Sequence, residues 1–406
     1  MELESLPEGW ELKGLGEITR IEGGGTPNTR IKEYYKGNIP FVIPSDLSPL
    51  KNFFISAKDI QRRITTEAIE KSSTKLLPPG TVLMSSRATI GLIAIPDFPV
   101  CTNQGFKNFI CGKELNNLYL AYYLKSIKEK IEGLAGSTTF KEVSKRTIQN
   151  LEIPLPPLEE QKKIVEILQF ADYLKERRRE AIKLIDKIVM SVFYDMFGDP
   201  ATNPRGWEIE RLDKICNFDT YQILPDARRE YFYLGLEDIE SNTGKIIKNT
   251  KTLGSKILSN KHNFDNSHVL YGKLRPYLNK VAMPMQEGIC STDIIPLKPD
   301  ENYLMREFLV YYLRDKNFIK WAAEHSTGTK MPRIQTSTLK KHQIPLPPLD
   351  LQQEFAEIVS KLEDKRKKME EAEEKLEMLY QILLKQAFTG KLTEEWRMRG
   401  NASKCR

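Results

Sequence analysis

IPLPPLEEQ at Ile153–Gln161 returns as IPLPPLDLQ at Ile344–Gln352, an offset of 191 residues in a chain of 406. A match of this length in this order marks an internal repeat, and it continues on both sides. Upstream, YLAYYLKS (Tyr119–Ser126) corresponds to FLVYYLRD (Phe308–Asp315), and a loop at Gly136 corresponds to a loop at Gly328. The starts agree as well, PEGWELKGLGEI (Pro7–Ile18) with PRGWEIERLDKI (Pro204–Ile215), and at the ends Phe197 aligns with Phe388. The chain is therefore two tandem copies of one unit.

After each Leu-Pro-Pro-Leu the texture changes. Glu159–Phe197 and Asp350–Phe388 contain no Pro and no Gly, are rich in Lys, Glu and Arg, and carry apolar residues at helical spacing. The spacing predicts two helices of about 39 residues, roughly 58 Å each at 1.5 Å per residue. In the second, Phe355, Leu362, Met369, Leu376 and Leu383 recur every seven residues with Ile358, Ala372 and Leu379 between them, a coiled-coil seam. In the first, Leu168, Ile182, Val189 and Met196 form one row and Ile164, Ala171, Ile185 and Val192 its neighbour. Such stripes are longer than a small globule is wide, so each helix is expected to bury most of its stripe against the other, in antiparallel sense.

Ahead of each helix lies a Gly- and Pro-punctuated stretch of about 150 residues, an ordinary domain length. Short β-branched and aromatic runs (Phe41–Ile43, Thr81–Met84, Leu92–Ile95, His268–Tyr271) read as strands, giving a mixed α/β globule. Between the shared anchors the two copies diverge: GGGTPNTRIKEYYKG (Gly23–Gly37) has no counterpart in the second, which offers YLGLEDIESNTG (Tyr233–Gly244). The expected organisation is a globule over 1–152, linker and helix over 153–198, a second globule over 199–343, linker and helix over 344–390, and a tail over 391–406.

The net charge of +7 comes entirely from the globules. Residues 1–152 hold 20 basic and 17 acidic residues, and 199–343 hold 22 and 18, whereas the helical segments balance at 8 and 8 and at 12 and 12. Two basic globules on a neutral spacer suit a protein that reads two stretches of a polyanion, with diverged halves reading different sequences. No run of about 18 apolar residues spans a bilayer, and the N-terminus lacks the layout of a secretory signal, so a cytoplasmic protein without membrane contact is expected. The five cysteines are scattered and read as buried free thiols, and none of the four histidines pairs with a Cys or carboxylate at ligand spacing.

These strings together resemble the specificity subunit of type I restriction–modification systems over essentially the whole chain. In the first half the resemblance rests on GGTP (Gly24–Pro27), IPFVIPSDL (Ile39–Leu47), VLMSSRATIG (Val82–Gly91), TNQGFKNF (Thr102–Phe109) and IPLPPLEEQ. In the second it rests on YLGLEDIES (Tyr233–Ser241), LYGKLRPYLNKV (Leu270–Val281), CSTDIIPL (Cys290–Leu297) and IPLPPLDLQ. The resemblance implies two α/β target-recognition domains in tandem, each followed by a long helix, the helices packing as an antiparallel coiled coil with pseudo-twofold symmetry. It implies a non-catalytic subunit that reads one half of an asymmetric bipartite site on double-stranded DNA with each domain. Two methyltransferase subunits would dock on the helices, and restriction subunits would join the full complex. S-adenosylmethionine, ATP and Mg would belong to those partners, with no cofactor in this chain. No adenine-methyltransferase motif, phosphate loop or nuclease cluster is present to argue otherwise.

Candidate DNA contacts are chosen by chemistry. Arg87 and Thr89 follow a strand in a Ser-rich turn, where a guanidinium can fork onto guanine and a threonine methyl can meet thymine. Lys273, Arg275 and Tyr277 occupy the equivalent stretch of the second domain. Thr26, Lys107, Ser291 and Thr292 sit in polar loops beside strands, and Thr138, Lys141, Lys330 and Arg333, in the loops before the linkers, are candidates for phosphate. Gln161, Gln352 and Arg178 are the candidate contacts to a partner subunit.

Overall fold

The computed structural model describes residues 6–135, 142–248 and 250–404. It divides into two compact units: Met1–Arg177 with Glu374–Arg406, and Arg178–Glu373. Each unit therefore holds one globule together with part of both long helices.

In unit 1 the ends of the globule are clipped together, strand Glu11–Gly14 pairing antiparallel with Glu152–Leu155. The main sheet has five strands in the order Thr19–Gly23, Phe106–Cys111, Val82–Ser85, Ile93–Pro96 and Phe54–Ile55. Its central strand is buried at all four positions, and alternation sends its side chains to two cores. Val82 and Met84 join a core with the helix Asn117–Ser126, while Leu83 joins a smaller one with Val42, Leu77, Ala94 and Phe106. That helix is buried all round from Tyr119 to Leu124, and its N-terminus is capped by the Asn116 side chain, which accepts from the amides of Leu118 and Tyr119.

Unit 2 repeats this frame with other residues. Glu208–Arg211 pairs with Gln343–Leu346, and a sheet runs Cys216–Phe218, Ile294–Pro299, Val269–Gly272 and Val281–Ala282. Val269 faces Leu297 as Val82 faces Phe109 in unit 1. The counterpart helix, Arg306–Leu313, is buried from Phe308 to Leu313. A second sheet runs Gln222–Ile223, Lys261–Phe264, Gly288–Cys290 and Tyr233–Leu234, and its parallel pairing of Tyr233 with Ile289 and Leu234 with Cys290 repeats that of Phe41 with Cys101 and Val42 with Thr102 in unit 1.

The long helices span Leu158–Phe197 and Leu349–Ala387, each starting directly after its Pro-Pro pair, where a residue lacking a donor costs nothing. They run antiparallel. In unit 1 Ile164, Leu168 and Ala171 share a core with Tyr380, Leu384 and Ala387. In unit 2 Phe193 and Phe197 stack edge-on against Phe355, with centroids 5.6 and 5.3 Å apart, while Arg179 meets Glu373 further along. The buried stripe differs from the expected seam. Leu379 is 49% exposed, whereas Val359, Tyr380 and Leu384 are buried, and in the first helix Phe193 and Phe197 are core where Val192 and Met196 are only partly covered. The helices pack against the globule as well as each other, which rotates the buried arc toward the buried helix Asn117–Ser126 or Arg306–Leu313.

Cys101, Cys216 and Cys290 are buried free thiols and Cys111 is partly buried; Cys405 lies outside the described residues. No helix among the described residues is long and apolar enough to cross a membrane.

Candidate nucleic-acid interface

In unit 1 the end of IPFVIPSDL, GGTP, the turn after Val82–Ser85 and the start of TNQGFKNF meet at one end of the main sheet. The backbone of Gly24–Gly25 runs so close to the chain opposite that a Cβ on Gly24 would lie 1.8 Å from the Asn103 carbonyl oxygen, and one on Gly25 2.4 Å from the Thr74 amide. Only glycine fits there. The Gly25 amide donates to Thr102 at 2.9 Å, which sets Thr26 beside Gln104, to whose side chain it donates. The turn Ser86–Gly91 is held to the next segment by the Val143 amide on the Ser86 carbonyl.

Within that turn Ala88 takes a left-handed φ of 56°, and Arg87 and Thr89 on either side are exposed. Arg87 Nη2 lies 2.8 Å from Glu142 Oε2, and the buried Lys107 lies 3.0 Å from Glu142 Oε1. Burial works against the Glu142 charge, but hydrogen bonds from Arg87 and Lys107 outweigh it and hold the carboxyl below its ordinary range. One carboxylate thus aims an exposed guanidinium and anchors a buried ammonium. Thr138 and Lys141 lie outside the described residues.

The second globule places its own set at the equivalent end. Lys273, Arg275 and Tyr277 follow the strand Val269–Gly272, and Arg275 has a left-handed φ of 51°, at the sheet position that Ala88 holds in the first. The Arg275 amide donates to Pro332 at 2.7 Å, the Ile334 amide to Lys273 at 3.1 Å and the Lys273 amide to Asp293 at 2.9 Å. Arg333 is held by two contacts to Asp293, at 3.0 and 3.3 Å, and that hydrogen bonding raises its pKa further. The Ser291 hydroxyl accepts from the Asp293 amide, with Thr292 between them. Tyr277 is 53% exposed, and Lys330 is exposed in the loop at Gly328. Glu142 and Asp293 orient these cations; positive charge in the sequence does not point to them, and an acid beside each basic loop is the available signal.

Two expectations are corrected. Gln161 and Gln352 are 0% exposed, so neither reaches a partner. The Gln161 amide donates to the carbonyls of Glu114 and Pro156 and accepts from the Asn116 amide; Gln352 does the same with Tyr303, Pro347 and Met305. Each glutamine satisfies three loop groups at once, which explains its place in both repeats. His268 does have carboxylate neighbours, Asp219 at 2.9 Å and Asp265 at 2.8 Å, although among the described residues no group of three such side chains is arranged to hold a metal ion. Arg178 is half-exposed on the first long helix. Large apolar side chains are exposed on the helices: Phe170, Tyr173, Leu174, Met378 and Ile382 in unit 1, and Leu184 and Ile188 in unit 2.

The type I restriction modification DNA specificity domain matches twice, over residues 7–184 and 204–378. The chain is 29% identical over 391 residues to the MjaIX specificity subunit of Methanocaldococcus jannaschii, covering 90% of this chain and 89% of that one. It is 24% identical over 458 residues to the EcoKI specificity subunit of Escherichia coli, covering 98% and 92%. The fold agrees with a chain from a type I restriction–modification assembly (TM-score 0.62, 20% identity, covering 96% of this chain and 100% of that one). It also agrees with the specificity subunit from M. genitalium (TM-score 0.52, 17% identity, covering 96% and 98%). Specificity subunits are the non-catalytic members of such systems. With two copies of the domain covering most of its length, this chain belongs to the type I restriction–modification DNA specificity family.

Proposed function

We propose that each globule reads one half of an asymmetric bipartite DNA site, and that the paired helices set the gap between the halves. The observation that carries this reading is a shared frame with different contents. At the same point of the sheet, opposite the strained turn, one globule presents Glu142 under two cations and the other presents Arg333 over an aspartate. Two such surfaces select different base edges, since an acid accepts from cytosine and arginine forks onto guanine. In this reading the recognition domains are residues 1–152 and 199–343. Their contacts come from Thr26, Arg87, Thr89, Thr138 and Lys141 in the first, where Lys107, expected as a contact, is instead buried against Glu142 and supports Arg87 through it, and from Lys273, Arg275, Tyr277, Ser291, Thr292, Lys330 and Arg333 in the second.

The exposed apolar side chains of the helices, with Arg178, support docking of two methyltransferase subunits, because soluble chains rarely leave such stripes uncovered. Those partners would carry S-adenosylmethionine and methylate adenine in the cytoplasm, and restriction subunits would add ATP- and Mg-dependent cleavage. The test is to co-express the chain with its companion methyltransferase in a host lacking other adenine methylation and to sequence the modified DNA. A split asymmetric motif with a fixed gap is expected; a stable complex that leaves the DNA unmethylated overturns the proposal.

A further inference from the structure

In each unit the long helices and the buried tyrosine-bearing helix meet around a polar cluster, and the two clusters are built from repeat-equivalent residues. In unit 1 Lys175 Nζ lies 2.7 Å from Glu377 Oε2 and 3.8 Å from the centre of the Tyr380 ring. Beside it Asp172 accepts from Tyr122 at 2.8 Å and faces Lys125 at 3.6 Å. In unit 2 Arg366 pairs with Asp186 and lies 3.5 Å from Glu363, with Arg314 over the Tyr311 ring at 5.4 Å. The 191-residue offset of the linkers carries Asp172 to Glu363, Lys175 to Arg366 and Asp186 to Glu377. The offset of 189 residues between the tyrosine helices carries Tyr122 to Tyr311 and Lys125 to Arg314.

Residue identities drift between the copies, Lys to Arg and Asp to Glu, while every charge keeps its sign. Lys175 and Arg366 are only 8% and 9% exposed. Burial lowers the Lys125 pKa and raises that of Glu363, the usual cost of placing charge where water is scarce. A buried ion pair is a poor source of stability, since apolar residues of the same volume often do as well. Its attested use is to fix register, as a single polar position does in a coiled coil.

The helices need such a device. A heptad stripe presents a similar apolar face after a slide of seven residues, whereas the charges do not. In unit 2 the register sets Arg179 against Glu373 and Asp186 against Arg366, seven residues along one helix matching seven back along the other. A slide of one heptad in one direction sets Arg179 against Arg366; in the other it sets Asp186 against Glu373 and, in unit 1, Lys175 against Leu384. Each puts like charges together or strands a buried ion.

We infer that Lys175–Glu377 and Asp186–Arg366 are register locks of the helical pair; on the reading above, in which that pair sets the gap, they fix the length of the DNA spacer. The test uses the full chain with its methyltransferase and two readouts. A short bismaleimide linking Arg179→Cys to Glu373→Cys reports the helix register, and the gap in the methylated motif reports the spacer. Replacing both pairs with apolar residues (K175M, E377L, D186L and R366M together) should leave melting unchanged but lower the cross-link several-fold and mix the gap lengths. Exchanging the charges within both pairs (K175E with E377K, D186K with R366E) should restore one register and one gap. Full cross-linking in the apolar variant, or its loss in the exchanged one, overturns the lock. If the apolar variant fails to fold, E377K alone decides: an undiminished cross-link overturns the lock and a reduced one upholds it. A weakened cross-link with an unchanged gap keeps the lock and overturns the spacer reading.

Discussion

Glu160, at the start of the first long helix, is 2% exposed and accepts a hydrogen bond from Arg397, 237 residues further along the chain. The same carboxylate accepts from the Thr393 hydroxyl at 2.5 Å and the Trp10 indole at 3.1 Å. Arg397 also lies over the Trp10 ring and donates to the Gly390 carbonyl. Trp10 and the segment Thr393–Arg397 are thereby tied to the start of the first long helix. In the second repeat Leu351 stands where Glu160 does, and Trp207 donates instead to the Phe197 carbonyl.

Arg397→Met removes one partner and leaves the Glu160 carboxylate buried. Breaking a buried pair in this way costs about 3 kcal/mol, seen as a lower melting temperature. Glu160→Leu combined with Arg397→Met copies the arrangement of the second repeat and should recover most of the loss. A double variant as unstable as Arg397→Met would mean that the tail acts through packing alone.

Glu142→Gln tests whether Arg87 and Lys107 are held in reserve for DNA. Loss of the carboxylate frees two cations, so binding to unrelated duplex should strengthen and its salt dependence steepen. The slope of log K against log salt should change by about 1 to 2 if one or both reach phosphate. An unchanged slope would confine both side chains to an internal role.

Arg275→Ala addresses the second globule. If the guanidinium forks onto a base, discrimination at one position of one half-site falls by about 1–3 kcal/mol while the other half-site is unaffected. Equal weakening on every sequence would make Arg275 a phosphate contact instead. The left-handed φ of 51° is retained at some strain by either residue, so the comparison isolates the side chain.

The architecture was legible because its signals are local or periodic. The repeated Pro-Pro pairs fix both helix starts to within a residue, and the apolar spacing gives their length. What escaped depends on pairs distant in sequence. Nothing near Glu160 announces Arg397, nothing near Arg87 announces that Glu142 will turn toward it, and no period predicts that Leu379 faces water while Tyr380 is buried. Gln161 was conspicuous as a repeated polar residue, yet repetition served three backbone groups and no partner.

His342 supplies a pH dependence whose sign can be worked out. Its ring lies 3.8 Å from that of Trp321 and 5.1 Å from that of Phe318, and Nε2 is 2.7 Å from the Tyr312 hydroxyl. Burial, with a smaller contribution from His325, pulls its pKa down to about 4, against about 6.5 in an unfolded chain. The unfolded chain then binds the proton first. The stability from keeping this ring neutral is complete above about pH 6.5 and drains away as the pH falls toward 4, at roughly 1.4 kcal/mol per unit and on the order of 3 kcal/mol in all. His342→Gln removes the titrating group. Denaturant midpoints of the parent chain and the variant, compared at pH 7 and pH 4.5, should therefore converge at the lower pH. A gap of the same size at both values would place His342 among groups that are charged, or neutral, in both states.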